Sequence, residues 1–368
     1  RGQVEGHREP VGAGRDELLV ALVGLGRGAE ARVLTHGPRF AGVHRGVDAA
    51  GERVLPRDAE ALVSEVPLAP ASRPAAADWL ALRLGRTPAS DERFHGAAGA
   101  VTLASHRVSA LDRYLACPFA YFAEYVLRLM EEPEDEDSLD PRSQGILVHA
   151  VLEAFYAAWH ARGHGAVTPD LLPEARALFA EVAEARLAPL APADAAVQRA
   201  RLLGSPAAEG CGDITLVAEA ERDRGVAVIE RLLEHALDGE TRLGTGESAR
   251  SIRLSAKADR IDLFADGTFR VIDYKLSHAP NLKHVVQLPA YAAAARQRLD
   301  GRHGRSWRVS DAAYVSFGRD AHYEPLAANG AKLEAALAAG EARLLDAVSR
   351  IEQGSFPVAP AEPHRCRY

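Results

Sequence analysis

Residues 252–276 read IRLSAKADRIDLFADGTFRVIDYKL. Two runs rich in β-branched and aromatic residues flank Asp266-Gly267, the chemistry of a tight turn, so the segment predicts a β-hairpin. Side chains alternate between the two faces of a strand. Asp259 therefore shares a face with Ile261 and Leu263, while Asp273 and Lys275 share one with Phe269 and Val271. Asp262 alternates to the face opposite Asp259, as expected of a surface or salt-bridge residue. Each strand thus sets a carboxylate in line with apolar neighbours. That is either a salt-bridged strand end or a site that needs carboxylates held at the margin of a core.

The flanking segments favour a site. Downstream, VVQLPAYAAAARQRL (285–299) predicts a helix in which Pro289 is tolerable only near the first turn, and Gln287 and Tyr291 stand at i, i+4 on one side. A strand at AAYVSFG (312–318) and a long helix from about 330 to Gln353, closed by Gly354, follow. Upstream, SQGILVHAVLEAFYAAWH (143–160) predicts a helix with His149, Leu152, Glu153 and Tyr156 on one stripe. His149 there is a core histidine or a ligand, and Glu153 is a supporting carboxylate or a plain amphipathic-helix residue. Tyr291 likewise packs or serves the site. Before these, Leu111, Leu115, Phe119, Phe122 and Val126 recur at helical spacing behind a Ser109–Asp112 capping box, with Pro118 as an interruption. The acidic run EEPEDED at 131–137 reads as a solvated loop.

With 368 residues and 47% hydrophobic content, the chain can build one large domain or two ordinary ones. The net charge of −7 neither supports nor excludes a nucleic acid, since a basic groove can coexist with an acidic total. Three scattered cysteines, Cys117, Cys211 and Cys366, exclude a disulfide framework and fit a reducing cytoplasm. The most apolar run, LLVALVGLG at 18–26, is too short to cross a bilayer, so no membrane location is expected. Gly24, Gly26 and Gly28 do not match a dinucleotide loop, and no P-loop sequence occurs, so any ATP-driven motor of that kind lies elsewhere. Arg1 at the start and a single methionine, Met130, suggest a fragment whose natural start lies upstream.

The stretches GILVHAVLEAFY, AKADRIDLF, VIDYK and QLPAY, in this order and preceded by SALDRYLACPFAYFAEYVLRL, resemble the PD-(D/E)XK nuclease superfamily, and within it the AddB/RecB-type branch. The resemblance implies an α/β fold with a restriction-endonuclease-like core, a mixed central sheet flanked by helices, carrying a large helical insertion at about 161–250. Residues 105–368 would be the nuclease domain, truncated at its C-terminus, and residues 1–104 the tail of an upstream domain plus a linker. The implied activity is phosphodiester hydrolysis on DNA, within a helicase-nuclease repair complex with an AddA-like partner subunit. A silent DNA-binding or scaffolding subunit of the same fold is the alternative.

The chemistry agrees with the resemblance. Phosphodiester hydrolysis needs charge neutralisation on the phosphate and hydroxide near neutral pH, both supplied by bound Mg²⁺ or Mn²⁺. Mg²⁺ takes oxygen ligands, commonly one or two carboxylates, which suits Asp259 and Asp273. Lys275 would orient the water and lower its pKa, or stabilise the anionic transition state. The resemblance adds His149 as a metal ligand, with Gln287 and Tyr291 holding the DNA backbone or supporting Lys275. This branch often has glycine shortly before the first carboxylate and after D-Y-K, where this chain has AKAD and KLSH. It also holds a [4Fe-4S] cluster on one cysteine ahead of the core and three behind it. Cys117 matches the first and Cys366 the opening member of the second group, whose next ligand would fall one residue beyond Tyr368. The cluster is thus expected in the full-length protein and incomplete in this fragment, and Cys211 has no counterpart in the pattern.

Overall fold

The computed structural model describes residues 96–129, 139–246, 249–282, 284–317, 321–328 and 330–362. All lie in the second of two compact units, Glu92–Tyr368, the first being Arg1–Asp91. The glycine triplet at 24–28, the acidic run at 131–137 and Cys366 fall outside the described residues.

A short strand β1 (His106–Arg107) leads into helix α1 (Val108–Ala116) and a one-turn helix α2 (Pro118–Tyr121). The expected capping box does not form. Arg107 occupies the N-cap without a side-chain bond, and Asp112 is committed elsewhere, its Oδ1 accepting from the Val286 N–H at 2.8 Å. Pro118 does interrupt the helix: Cys117 is extended, with φ −165° and ψ 112°, and Pro118 opens α2, where no helical N–H is required of it. Helix α3 (Pro141–Ala161) starts on Asp140, whose Oδ1 accepts from the Ser143 N–H at 2.9 Å. Helices α4 (Leu172–Leu187) and α5 (Pro192–Leu203), a small hairpin of β2 (Gly204–Ser205) and β3 (Ala208–Glu209), and α6 (Cys211–Arg222) complete the helical insertion.

The insertion ends there, not near residue 250. Strands β4 (Val228–Ala236) and β5 (Gly239–Leu243) follow it. Short apolar runs do not declare helix or strand by periodicity, and their partners lie later in the chain. The single strand expected over 252–264 is also two, β6 (Arg250–Ser255) and β7 (Lys257–Phe264), divided at Ala256 between different sheets. Strand β8 (Thr268–Lys275), helix α7 (Gln287–Arg298), strands β9 (Arg308–Phe317) and β10 (Ala321–Pro325), and helix α8 (Gly330–Glu352) close the order.

The central sheet runs β10-β9-β8-β7-β4; β8 and β9 are parallel and the other neighbours antiparallel. A second sheet runs β1-β6-β5. Gly267, at φ +81°, makes the turn of the β7–β8 hairpin. On one face, Ile261, Leu263, Phe269 and Val271 join a core with α1, α7 and α8. On the other, Ile272, Tyr274, Val315 and Phe317 pack with α3, α4 and α6. The fold is therefore mixed α/β, a mixed sheet between helical layers, as the motif order implied. Alanine at 290 and 292–295 lets α7 lie deep in the first core. A Cβ at Gly340 of α8 would fall 2.2 Å from Pro289 Cγ, so the α7–α8 crossing requires glycine there.

Candidate active site

The hairpin ladder explains where the carboxylates stand. The last β7–β8 pair is Arg260 with Ile272; beyond it the strands part. A separated strand leaves backbone groups without ladder partners. Asp259 meets that need, its Oδ2 accepting from the Tyr274 N–H at 2.7 Å. His149 of α3 reaches the same gap from the opposite layer: Nε2 lies 3.2 Å from the Tyr274 carbonyl oxygen and Nδ1 3.6 Å from Asp259 Oδ1. The ring is thus held by one nitrogen and turned toward carboxylates with the other. Burial would lower the His149 pKa, but the hydrogen bond and charge of Asp259, with Asp273 and Glu234, raise it on balance.

Asp273 points to the α7 side, 2% exposed. Its Oδ2 lies 2.7 Å from Lys275 Nζ, without hydrogen-bond geometry, so this buried oxygen has no hydrogen-bond partner. Burial, then the charge of Asp259, pushes its pKa up to about 7 against the opposing charges of Lys275 and His149. Lys275 is tethered as well: Nζ donates to Gln287 Oε1 at 2.9 Å, and Gln287 Nε2 donates to Tyr291 Oη at 2.8 Å. Gln287 and Tyr291 therefore form a hydrogen-bonded chain behind the lysine. Exposed Glu153 faces solvent and has the place of an amphipathic-helix residue.

Three residues of the site escaped the sequence. Glu234 of β4 lies with Oε1 3.8 Å from His149 Nδ1, and His149, Glu234 and Asp259 each offer a ligand atom within 4.8 Å of the others. Glu234 pairs with Lys257 and holds φ +45°, an uncommon and costly conformation for a residue with a Cβ. Nothing in RLLEHAL marks it, because its place depends on β4 lying beside β7. Tyr314 of β9 sits opposite Asp273 in the parallel ladder, and Lys275 Nζ lies 5.3 Å from its ring centroid. Asp112, read as a cap, is buried near Lys275, and burial raises its pKa to about 6.

The residues present fit a divalent cation. Two carboxylates and an imidazole converge, and beside them the buried Asp273 carboxyl, its pKa raised by burial and by the charge of Asp259, would be favoured in its ionised form by a cation. Oxygen donors with one imidazole suit Mg²⁺ or Mn²⁺. The grouping differs from the expected ligand set in one respect: Glu234 joins His149 and Asp259, while Asp273 leans toward Lys275.

On the opposite face of the same hairpin, Asp262 is the centre of a buried ion network, so of its two readings the salt-bridge residue holds and the surface residue does not. It is fully buried and accepts from Arg231 Nε, Arg260 Nε and Nη2, and Arg270 Nε and Nη2 at 2.7–3.2 Å. Glu219 of α6 accepts both terminal nitrogens of Arg260, and Asp223 those of Arg270. The end of the helical insertion thus contributes two carboxylates, Glu219 and Asp223, to the network on β7 and β8.

Among known proteins, the family model described as the PD-(D/E)XK nuclease superfamily matches residues 107–368. Among solved structures, a protein from Eubacterium rectale, provisionally titled an exonuclease, aligns at 12% identity and TM-score 0.28, over 71% of this chain and 85% of its own. The protein SSO0001 aligns at 14% identity and TM-score 0.22, over 66% of this chain and 82% of its own. Neither likeness is close enough to add to the assignment. No curated protein matches significantly. The family match spans both strands of the hairpin, α3 and α7, and on it the chain belongs to the PD-(D/E)XK nuclease superfamily.

Proposed function

We propose that this chain is a divalent-metal-dependent deoxyribonuclease, acting on single strands or duplex ends. The observation that carries the reading is the convergence of His149, Glu234 and Asp259 next to the buried Asp273 and its ion-paired, tethered Lys275. His149, Glu234, Asp259 and Asp273 would hold the ion. Bound there, it would supply charge neutralisation on the phosphate and a water that ionises near neutral pH. Lys275, fixed by Gln287, is placed to donate a hydrogen bond to the attacking water or a phosphate oxygen. The direct test is cleavage of end-labelled single-stranded and duplex DNA. Activity is expected with Mg²⁺ or Mn²⁺ and lost with EDTA; activity that persists in EDTA, or is absent with every divalent ion, sinks the proposal.

The motif order supports an AddB/RecB-type role in a helicase-nuclease repair complex. In that reading the motor would belong to an AddA-like partner subunit. Recovery of a P-loop helicase bound to the chain checks this.

We also propose that Cys117 and Cys366 serve a [4Fe-4S] cluster. Cys117 is a free thiol at the α1–α2 break, partly accessible. The Ala361 N–H donates to the carbonyl of Ala116, the residue before Cys117, at 2.9 Å. Cys211 is buried as the first residue of α6, its thiol pushed up to about 11 by burial, as expected of a structural cysteine. A C-terminally extended chain reconstituted anaerobically is expected to hold about four irons per chain. An extended chain that binds no iron refutes the cluster.

A further inference from the structure

A cleft of about 320 Å³ lies between α1, the segment after Lys275 and the chain near Ala361; Ser109, Asp112, Arg113, Tyr125, His284 and Glu362 line it. Of the residues placed at the hydrolytic site, Asp112 borders it. We propose that it receives the nucleobase of an unpaired nucleotide flanking the scissile phosphate, a reading that rests on the nuclease function above.

Its position comes first. Val285 lines the cleft, Val286 donates its N–H to Asp112 at its wall, and Gln287, the next residue, holds Lys275. The cleft wall and the lysine tether are consecutive residues. A strand presenting a phosphate to Lys275 thus has this cleft as its neighbour. Size is the second point: the volume falls at the small end of ligand pockets, room for a single flat heterocycle and too little for a duplex.

The lining decides which part of the nucleotide enters. Ala116, Pro280 and Val285 give the cleft an apolar wall that suits an uncharged ring better than a phosphate. Tyr125 supplies the aromatic surface; it is braced by Tyr121, with ring centroids 5.2 Å apart and planes 23° from parallel. Stacking on such a ring is tolerant of base identity, because every base has a π-face. Arg113, nearly half exposed and paired with Glu124 at 3.0 Å, offers a cationic group for the adjoining backbone, and His284 a ring nitrogen.

The test is binding, read in EDTA so that no cleavage intervenes. The probes are single-stranded oligodeoxynucleotides carrying 2-aminopurine or an abasic residue at each position in turn. The wild-type protein is expected to quench 2-aminopurine at one position and to bind the strand abasic at that position about fivefold or more weakly. Tyr125→Ala is expected to lose the quench, to weaken binding of the intact strand by a similar factor, and to leave binding of that abasic strand unchanged. Equal affinity of the wild type for intact and abasic strands at every position overturns the proposal, as does Tyr125→Ala binding the intact strand like wild type. The wild-type comparison stands even if the variant misfolds. Hydrolysis of bis(p-nitrophenyl) phosphate by the wild type, a diester without a nucleobase, reports on the nuclease reading alone, so the two can fail separately.

Discussion

Lys275→Ala is expected to slow DNA cleavage by about 100-fold or more while leaving the fold and divalent-ion binding in place, because a positioned charge or proton-handling group contributes on that scale. Lys275 Nζ sits 2.7 Å from Asp273 Oδ2 and 2.9 Å from Gln287 Oε1, so its place is set by the site and its removal empties no core. Asp273→Ala is expected to abolish cleavage by a different route, weakening ion binding itself. Single-turnover cleavage and Mn²⁺ titration of each variant separate the two roles. Unchanged cleavage in either variant removes the assignment.

The same aspartate predicts a trade of stability for function. Its folded pKa, raised to about 7, exceeds the ordinary carboxylate value near 4. Without metal, stability is therefore lost as pH rises from about 4 to about 7, where the unfolded chain ionises before the folded one. Asp273→Asn should remove that loss and melt higher than the metal-free wild type at pH 8.

Asp262→Ala is expected to cost about 3–5 kcal/mol, which in a unit of this size lowers the melting temperature by about 5–15 °C. Burial alone would push the Asp262 pKa up, but the charges of Arg260, Arg231 and Arg270 hold it well below the usual range. Removing it leaves Arg231 without its hydrogen-bonded carboxylate, and Arg260 and Arg270 only with Glu219 and Asp223. Its contribution is present above about pH 4 and lost as pH falls through its depressed folded pKa. Activity should fall with it, since these arginines tie β4, β7 and β8 together behind Asp259 and Asp273. A melting temperature within about 2 °C of wild type would show that solvent or rearrangement compensates the arginines.

The hairpin and the residues on it were legible because a strand's alternation is local: IDLFADGTFRVIDYK declares its turn, its faces and the side on which Asp273 and Lys275 fall. The helices of His149 and of Gln287 and Tyr291 were legible for the same reason, their spacing being a property of one helix. The sequence could not show that β7 and β8 part after the Arg260–Ile272 pair, which is what draws Asp259 onto the Tyr274 N–H. Nor could it show Glu234, whose carboxylate joins the site only because β4 lies beside β7 and its backbone turns to positive φ. Asp112 looked like a cap by local spacing, yet its partner is Val286, 174 residues away. Alternation left Asp262 as a surface or salt-bridge residue; its ion pairs are buried because the second face of the sheet is covered by α3 and α6, which bring Tyr156 and Glu219 to the arginine that bonds it. Local periodicity determines which face a residue takes. What covers that face, and which distant polar group meets it, is decided by the burial of unpaired charge and backbone, a constraint that exists only once the layers have come together.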